Sequence, residues 1–148
     1  MRLYLDVCCL NRPFNDKTQE RIRLEAEAVL TVLTQIDQGA ATGIYSPTHT
    51  VEIGQIRSPE RRLLVELLSN ALTEKVAETE DVTARAAELG GMGFHTEDAR
   101  HLAFAEAAQC DMFLTTDDRL ERRANRLTGS LHIRVINPTT FVMERSAP

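Results

Sequence analysis

Leu3-Tyr4-Leu5-Asp6 is a short apolar run that ends abruptly in a carboxylate, and Phe113-Leu114-Thr115-Thr116-Asp117 repeats this arrangement near the other end of the chain. Short apolar runs bounded by polar residues are typical of buried strands. In an open parallel sheet the carboxyl ends of the strands share one edge, so residues far apart in sequence can meet in one crevice there. We therefore expect Asp6 and Asp117 to converge.

Two further acidic residues stand at comparable positions. Glu52 lies one turn into a helix predicted by the N-cap Ser46 and by Pro47 at the first helical position. Asp98 lies in the first turn of another predicted helix, in Thr96-Glu97-Asp98-Ala99. A carboxylate cluster repels itself unless protons or a cation neutralise it, and hard oxygen ligands suit Mg²⁺ or Mn²⁺.

Each acidic residue also has a simpler explanation. Asp117 can cap the helix that follows it, and Asp98 can interact with the dipole of its own helix. Glu52 lies too deep in its helix to be a cap, and Asp6 has no evident capping role. The joint pattern favours a metal site formed by Asp6, Glu52, Asp98 and Asp117.

Strands and helices alternate along the chain, which favours a parallel sheet covered on both faces. Strands are predicted at 2–6, 43–46, 74–78, 112–116 and 132–136. Helices are predicted at 19–37, from 47, at 58–72, 80–89, 96–109 and 118–126, with a short helix or tail from 137. Gly90-Gly91-Met92-Gly93 is predicted to form a flexible turn between two of these helices.

Composition limits the class of protein. The chain has 148 residues, of which 43% are hydrophobic, enough for one domain covering 1–148. No run approaches the ~18 apolar residues of a membrane helix, and no signal peptide is evident, so we expect a cytoplasmic protein without membrane contact. The three cysteines do not form a disulfide framework. The net charge of −5 argues against general coating of nucleic acid but permits an enzyme that acts on RNA.

Three blocks together resemble a known family. They are Leu3-Tyr4-Leu5-Asp6 with the following Asn11-Arg12-Pro13-Phe14, the helical Glu52, and the run from Asp98-Ala99-Arg100-His101-Leu102-Ala103 to Cys110-Asp111-Met112-Phe113-Leu114-Thr115-Thr116-Asp117. They look like a PIN domain of the size and layout of bacterial VapC-type toxins. The last block is the most specific, because an aspartate near a helix start precedes the strand-end Thr-Thr-Asp by nineteen residues.

The resemblance implies a three-layer α/β/α fold with a central, mostly parallel sheet of 4–5 strands. It also implies an Mg²⁺- or Mn²⁺-dependent endoribonuclease whose metal ligands and catalytic residues are Asp6, Glu52, Asp98 and Asp117. Such proteins are often homodimers paired with a small antitoxin protein. One departure is visible: many relatives carry a hydroxyl residue just after the first aspartate, where this chain has Val7-Cys8-Cys9. Asn11 is predicted as a substitute donor to Asp6.

Positive charge for binding RNA is concentrated in one segment. Arg119, Arg122, Arg123 and Arg126 recur at helical spacing just after Asp117. They are candidates for contacts with the RNA backbone, although a solvated helix face would look the same. Arg12, in the loop after Asp6, is a further RNA-binding candidate, with an ordinary surface loop residue as the alternative.

Other classes remain open. A receiver-like or phosphatase domain would also place an aspartate at the end of the first strand, but it would usually need a pocket lysine, and the only lysines are Lys17 and Lys75. A non-catalytic PIN-like binding module is a further alternative. The pairs His49–Glu52 and Asp98–His101 could suggest a di-iron bundle, but the predicted strands do not fit one. His101 is predicted to be a helix residue packed beside the pocket.

Overall fold

The centre of the molecule is a five-stranded sheet in which all neighbouring strands are parallel and the order is β3-β2-β1-β4-β5. The computed structural model describes residues 1–146. The strands are β1 (Arg2–Leu5), β2 (Thr42–Tyr45), β3 (Glu74–Lys75), β4 (Met112–Leu114) and β5 (Arg134–Ile136). The predicted three-layer α/β/α architecture with a mostly parallel sheet is confirmed.

Helices cover both faces of this sheet. They are α1 (Val7–Asn11), α2 (Glu20–Asp37), α3 (Pro47–Gly54), α4 (Pro59–Ser69), α5 (Glu80–Gly91), α6 (Thr96–Ala107), α7 (Asp118–Arg126) and α8 (Pro138–Ser146). Alternate residues of a strand point to opposite faces, so Tyr4 packs with α5, α6 and α7 while Leu3 and Leu5 pack with α1, α2 and α8. The strands thus have two buried faces, which explains their nearly continuous apolar character.

The first strand occupies the middle of the sheet. Residues Leu3 to Leu5 are fully buried, and β1 pairs with β2 on one side and β4 on the other. On β2, a Cβ atom at Gly43 would lie 2.6 Å from Leu72 Cδ2, so glycine permits the chain after α4 to pack closely on the strand. Asp6, directly after β1, therefore stands at the centre of the carboxyl edge.

Several predicted boundaries were wrong. The short helix α1 was not predicted, and the helix predicted at 58–72 ends at Ser69. The helix predicted at 80–89 continues through Gly91, and the chain turns instead at Gly93, whose φ is +99°. The strand predicted at 74–78 is reduced to Glu74–Lys75, and pairing with β2 ends with the hydrogen bond from Val76 N–H to the Tyr45 carbonyl oxygen at 3.0 Å.

A stack of four rings crosses the sheet just below this edge. Tyr45 lies 5.2 Å from His49, His49 lies 4.8 Å from Tyr4, and Tyr4 lies 5.2 Å from Phe113, between ring centroids and in stacked orientations. The stack connects β2, α3, β1 and β4 beneath the carboxylates. In the part of the chain that the structure describes, no helix is both long and apolar enough to span a membrane.

Candidate metal centre

Asp6 is a buried carboxylate, with only 6% of the residue exposed. Its Oδ2 accepts a hydrogen bond of 2.9 Å from the hydroxyl of Thr115, at the end of the neighbouring strand β4. The same Thr115 oxygen accepts the backbone N–H of Asp117 at 3.1 Å. One threonine therefore fixes the central carboxylate and the start of the loop that carries Asp117.

The prediction that Asn11 would support Asp6 was wrong. Asn11 Nδ2 lies 3.3 Å from the carbonyl oxygen of Val7, and its Oδ1 accepts from Arg61 Nη1 at 3.3 Å. Asn11 lies in the last turn of α1, where its side chain bonds back to its own helix. The hydroxyl donor to Asp6 is Thr115, which directly follows the neighbouring strand β4.

Glu52 and His101 lie next to Asp6. The Nε2 atom of His101 is 3.1 Å from Oε1 of Glu52 and 3.9 Å from Oδ1 of Asp6. One donor atom from each of the three residues lies within 4.8 Å of the other two, so they could hold one ion together. His101 is fully buried, whereas 21% of the Glu52 side chain is exposed.

A chain of hydrogen bonds holds the His101 ring from behind. The hydroxyl of Tyr4 lies 2.5 Å from Nδ1 of His101 and 2.6 Å from the hydroxyl of Ser46. Ser46 is also the N-cap of α3, and its backbone N–H donates to Nδ1 of His49 at 3.0 Å. Nε2 of His49 in turn donates to the carbonyl oxygen of Leu5 at 2.7 Å. Helix α3 and the His101 ring are therefore positioned by the same polar network.

The charges in this cluster influence one another. Burial raises the pKa of Asp6, and the charge of Glu52 raises it further, while His101 and Thr115 partly offset the shift. Burial opposes the charged form of His101, but its hydrogen bond to Glu52 and the charge of Asp6 outweigh this and raise its pKa. Without metal, the cluster therefore favours protonation of these groups, and a bound cation could take the place of the protons.

Asp98 takes part in the same electrostatic cluster. Burial raises the pKa of Asp98 to about 6, and the charges of Asp6 and Asp117 contribute next. Asp98 lies in the first turn of α6, and it lines a cleft of about 430 Å³ together with Asp117. Because charges interact strongly only over short distances, the shift indicates that the three aspartates share one region of the sheet edge.

Asp117 has a structural role as well. Its Oδ1 accepts the backbone N–H groups of Arg119 at 2.9 Å and Leu120 at 3.3 Å, which makes it the N-cap of α7. The alternative prediction that Asp117 caps this helix is therefore confirmed. This cap uses one carboxylate oxygen, Oδ1.

Two residues of this site were not predicted as part of it. The sequence analysis placed His101 beside the pocket, but its Nε2 enters the carboxylate cluster. Glu97 also approaches, because its hydrogen bond to Glu52, followed by burial, raises the pKa of Glu97. Glu97 and His101 are four residues apart in α6 and share a helix face with Asp98. This spacing was the available signal.

Sequence comparisons and structure comparisons gave different results for this chain. No protein-family model matches the sequence, and no curated protein matches it. Among solved structures, the chain is similar to VapBC-1 from nontypeable Haemophilus influenzae, with a TM-score of 0.60 and 13% identity over 94% of this chain and 99% of that one. It is also similar to FitAcB from Neisseria gonorrhoeae, with a TM-score of 0.59 and 14% identity over 92% and 97%.

The chain has a PIN-like fold. At 13% and 14% identity the two structures establish the architecture alone. The catalytic and metal-binding roles of the four acidic residues stay a prediction. What the PIN-like fold contributes is the arrangement of strand ends that brings Asp6 and the cleft with Asp98 and Asp117 to one edge.

The arginines of α7 border the same cleft of the PIN-like domain. Its lining includes Arg119, Arg122, Arg123 and Arg126. Arg123 packs over Gly93, where an added Cβ atom would lie 2.5 Å from Nη1 of the guanidinium group. The turn before α6 therefore provides a surface without a side chain on which the Arg123 head group rests beside the acidic residues.

Arg12 is not among the arginines that line this cleft. Its Nε donates to Oε1 of the buried Glu25 at 2.9 Å, and its Nη1 donates to Asn15 at 3.0 Å. Arg12 thus forms a structural ion pair between the turn after α1 and helix α2, and its contact with RNA stays a prediction.

The alternative functions gain no support from the geometry. Lys17 donates to the carbonyl oxygen of Pro13, and Lys75 is exposed on the edge strand β3, so neither resembles the pocket lysine of a receiver-like domain. Both ring nitrogens of His49 form hydrogen bonds, to Ser46 and to Leu5. His49 is therefore not free to act as one of the two histidine ligands of a di-iron site.

Proposed function

We propose that this protein is an Mg²⁺- or Mn²⁺-dependent endoribonuclease that hydrolyses RNA phosphodiester bonds. The observation that carries the proposal is the buried Asp6 carboxylate, which faces Glu52 and has no arginine or lysine partner among the ion pairs of the described residues. A buried carboxylate beside other carboxylates needs protons or a cation for stability.

The donor set fits a hard divalent cation. Carboxylate oxygens of Asp6, Glu52, Asp98 and Asp117 are the ligands that Mg²⁺ and Mn²⁺ prefer. A bound divalent cation would stabilise the charge that develops on the phosphate oxygens and lower the pKa of an attacking water. Asp6 would be the central ligand, since it is fixed by Thr115 at the middle of the sheet edge.

The remaining residues would bind and orient the substrate. Glu52 is partly exposed and can accept a proton or orient a water molecule at the mouth of the site. Arg119, Arg122, Arg123 and Arg126 border the cleft of Asp98 and Asp117, where guanidinium groups can pair with backbone phosphates. Because base edges play no part in such contacts, this cleft favours positioning of RNA over sequence readout.

A toxin with a small antitoxin partner is the biological role that we infer. The sequence resembles VapC-type toxins, and the similar structure VapBC-1 carries the corresponding name. A homodimer in the cytoplasm is the accompanying expectation. Expression of the wild-type chain alone should arrest growth, and a partner that closes the cleft should restore it. Equal, harmless expression of the wild type and the Asp6→Asn variant would contradict the toxin role and leave the nuclease open.

The nuclease is tested by incubating the purified protein with RNA and Mn²⁺ or Mg²⁺. Cleavage is expected with either ion, should stop when a chelator is added, and should be lost in Asp6→Asn. Asp37→Asn is the matched control, because it makes the same chemical change at an exposed position near the end of α2. Cleavage by Asp6→Asn at the wild-type rate would refute the proposal.

A further inference from the structure

The position of His101 Nε2 corresponds to that of a ligand atom. In an octahedral complex with bonds of roughly 2.1 Å, neighbouring donors lie about 3 Å apart and opposite donors about 4.2 Å apart. The distances from His101 Nε2 to Glu52 Oε1 and Asp6 Oδ1 are 3.1 Å and 3.9 Å, within these limits. The donor atoms of Asp6 and Glu52 lie within 4.8 Å of each other, so the three could reach a common ion after a modest side-chain adjustment.

We propose that His101 binds the metal through Nε2 and that this nitrogen makes the centre prefer Mn²⁺ to Mg²⁺. The inference deepens the proposed function, on whose metal centre it rests. Mg²⁺ is a hard ion that takes oxygen ligands and retains water, whereas imidazole nitrogen suits transition metals. A centre with carboxylates alone would lack this source of discrimination.

The hydrogen bonds behind the ring suit a ligand. A neutral imidazole that binds metal through Nε2 carries its proton on Nδ1 and must donate it. Tyr4 Oη, 2.5 Å from Nδ1, can accept that proton and donate its own to Ser46 Oγ at 2.6 Å. Ser46 can donate onward to Nδ1 of His49 at 3.3 Å. Nδ1 of His49 also accepts the backbone N–H of Ser46 at 3.0 Å, so the hydroxyl and the N–H of Ser46 share this acceptor.

His49, the last residue of this hydrogen-bond network, fixes the direction in which the hydroxyl groups donate. Nε2 of His49 donates to the carbonyl oxygen of Leu5, which can only accept. Nδ1 of His49 is therefore an acceptor in the neutral ring, so the Ser46 hydroxyl can point toward it and the Tyr4 hydroxyl toward Ser46. Tyr4 and Ser46 thus act as positioning residues that keep the lone pair of His101 Nε2 turned toward Asp6 and Glu52.

Burial makes His101 a rigid ligand. The residue is fully buried, and its ring packs edge-on against Tyr4 at 5.4 Å and against His49 at 5.1 Å between centroids. A side chain held by packing on these sides loses little rotamer freedom when it binds an ion. The nitrogen therefore adds affinity without the ordering cost of an exposed histidine.

Pulsed electron paramagnetic resonance of the Mn²⁺-loaded protein tests the proposal directly. Echo modulation from a directly bound ¹⁴N nucleus is expected in the wild type and should disappear in His101→Gln. His132→Gln is the matched control, because His132 is an exposed histidine after α7 and should leave the signal unchanged. Circular dichroism of each variant checks that the fold is retained.

Competition between Mn²⁺ and Mg²⁺ tests selectivity. His101→Gln keeps an oxygen donor in place of the nitrogen, so the ratio of the Mn²⁺ and Mg²⁺ affinities should fall by roughly tenfold or more. Tyr4→Phe keeps the ring stack and the His101 ligand but removes the hydrogen bond to Nδ1. It should retain the ¹⁴N signal while weakening Mn²⁺ binding by roughly 10-fold, the lower end for loss of a group that supports a ligand.

The outcomes separate the two proposals. An absent ¹⁴N signal in the wild type, a signal that survives in His101→Gln, or no Mn²⁺ binding at millimolar concentration would each overturn the His101 assignment. If the ¹⁴N signal behaves as expected but no RNA is cleaved with either ion, the ligand stands and the nuclease falls. If RNA is cleaved in the absence of the signal, the nuclease stands and His101 is not a ligand.

Discussion

The carboxylates of Asp6 and Glu25 are both buried, and their surroundings differ sharply. Glu25 on α2 has 2% of its side chain exposed and receives three donors. Arg12 Nε reaches its Oε1 at 2.9 Å, while Arg21 Nε and Asn137 Nδ2 reach its Oε2 at 3.3 Å and 2.6 Å. Asp6 is comparably buried but receives the Thr115 hydroxyl, with His101 Nε2 at 3.9 Å.

Under the proposed function, the difference separates a structural charge from a metal-binding one. Two guanidinium groups neutralise Glu25, which joins α2 to the turn after α1 and to Asn137, directly before α8. Asp6 instead faces Glu52, and the charge of Asp6 raises the pKa of Asp98. A buried charge that only His101 and Thr115 partly offset is costly, and the proposed cation would supply the missing compensation at Asp6.

The largest effect is expected for Asp6→Asn. The variant should lose Mn²⁺-dependent thermal stabilisation and at least about 10³-fold in RNA cleavage, because metal ions supply several kcal/mol of transition-state stabilisation. The metal-free variant should be as stable as the wild type or more stable, since it removes a repelling charge while the Asn oxygen can still accept from Thr115. Calorimetry with and without Mn²⁺ measures both effects, and a variant that is clearly less stable without metal would contradict this view of Asp6.

Glu25→Gln should have the opposite profile. Removal of the carboxylate leaves Arg12 and Arg21 without their shared partner, but 21% and 55% of these side chains are exposed, so solvent reduces the penalty. We expect a loss of about 2 kcal/mol in the free energy of unfolding, measured by urea denaturation. Mn²⁺ affinity should be unchanged. If Glu25→Gln weakened Mn²⁺ binding as strongly as Asp6→Asn does, the contrast between the two carboxylates would be lost.

The contrast also explains which features the sequence could predict. Asp6, Asp98 and Asp117 could be proposed because a strand end or a helix start is a local signal, and a parallel sheet places such positions at one edge. Glu52 could be proposed because it lies within a helix whose start is marked by Ser46 and Pro47. The role of Thr115 was missed because its contact with Asp6 spans 109 residues.

The remaining errors have similar physical causes. The partner of Arg12 lies thirteen residues away on α2, and nothing in the local sequence distinguishes a paired arginine from a free one. The five residues of α1 are too few to show a helical period. Periodicity predicts which face of α6 is buried. It does not predict how α6 packs on the sheet, and this packing decides how far His101 reaches into the carboxylate cluster.

The pH dependence of stability should distinguish the two regions further. The pKa of Asp98 is about 6 when folded, above its ordinary 3.8, so Asp98 binds more protons in the folded state between these values. Burial lowers the pKa of His49 to about 3, so His49 destabilises the folded state as pH falls below 6.5. Asp98 acts in the opposite direction and should stabilise the metal-free protein as pH falls from 7 to 5. The raised pKa of His101 acts in the same direction as pH falls through it, and the lowered pKa of Glu52 opposes this only below its usual 4.5.

Asp98→Asn should remove the Asp98 contribution to this profile. Its contribution between pH 7 and 5 is expected to be about 1 kcal/mol, reduced from the full shift because Asp98 is only half-buried. Urea denaturation at each pH, with Asp37→Asn as the control, measures the change. If the wild type and Asp98→Asn changed equally in stability from pH 7 to 5, the raised pKa of Asp98 would be refuted.

The smallest effect is expected in the cleft. Arg122→Gln combined with Arg123→Gln should raise the KM for RNA with little change in kcat, because these side chains would bind the phosphate backbone rather than the reacting atoms. Each lost contact should reduce the salt dependence of binding to single-stranded RNA by roughly 0.7 in log–log slope. Arg23→Gln with Arg134→Gln is the matched control, since both arginines are paired elsewhere. If both double variants reduced the salt dependence of RNA binding equally, the proposed contact between α7 and RNA would be refuted.

The ring stack beneath the metal centre gives the molecule an optical reporter of its own. The chain has no tryptophan and two tyrosines, Tyr4 and Tyr45, and both lie in that stack. Intrinsic ultraviolet fluorescence therefore arises from the rings nearest the site, with no distant indole to mask it. Titration with paramagnetic Mn²⁺ should quench this emission more strongly than titration with diamagnetic Mg²⁺, so occupancy can be followed in the unlabelled wild-type protein.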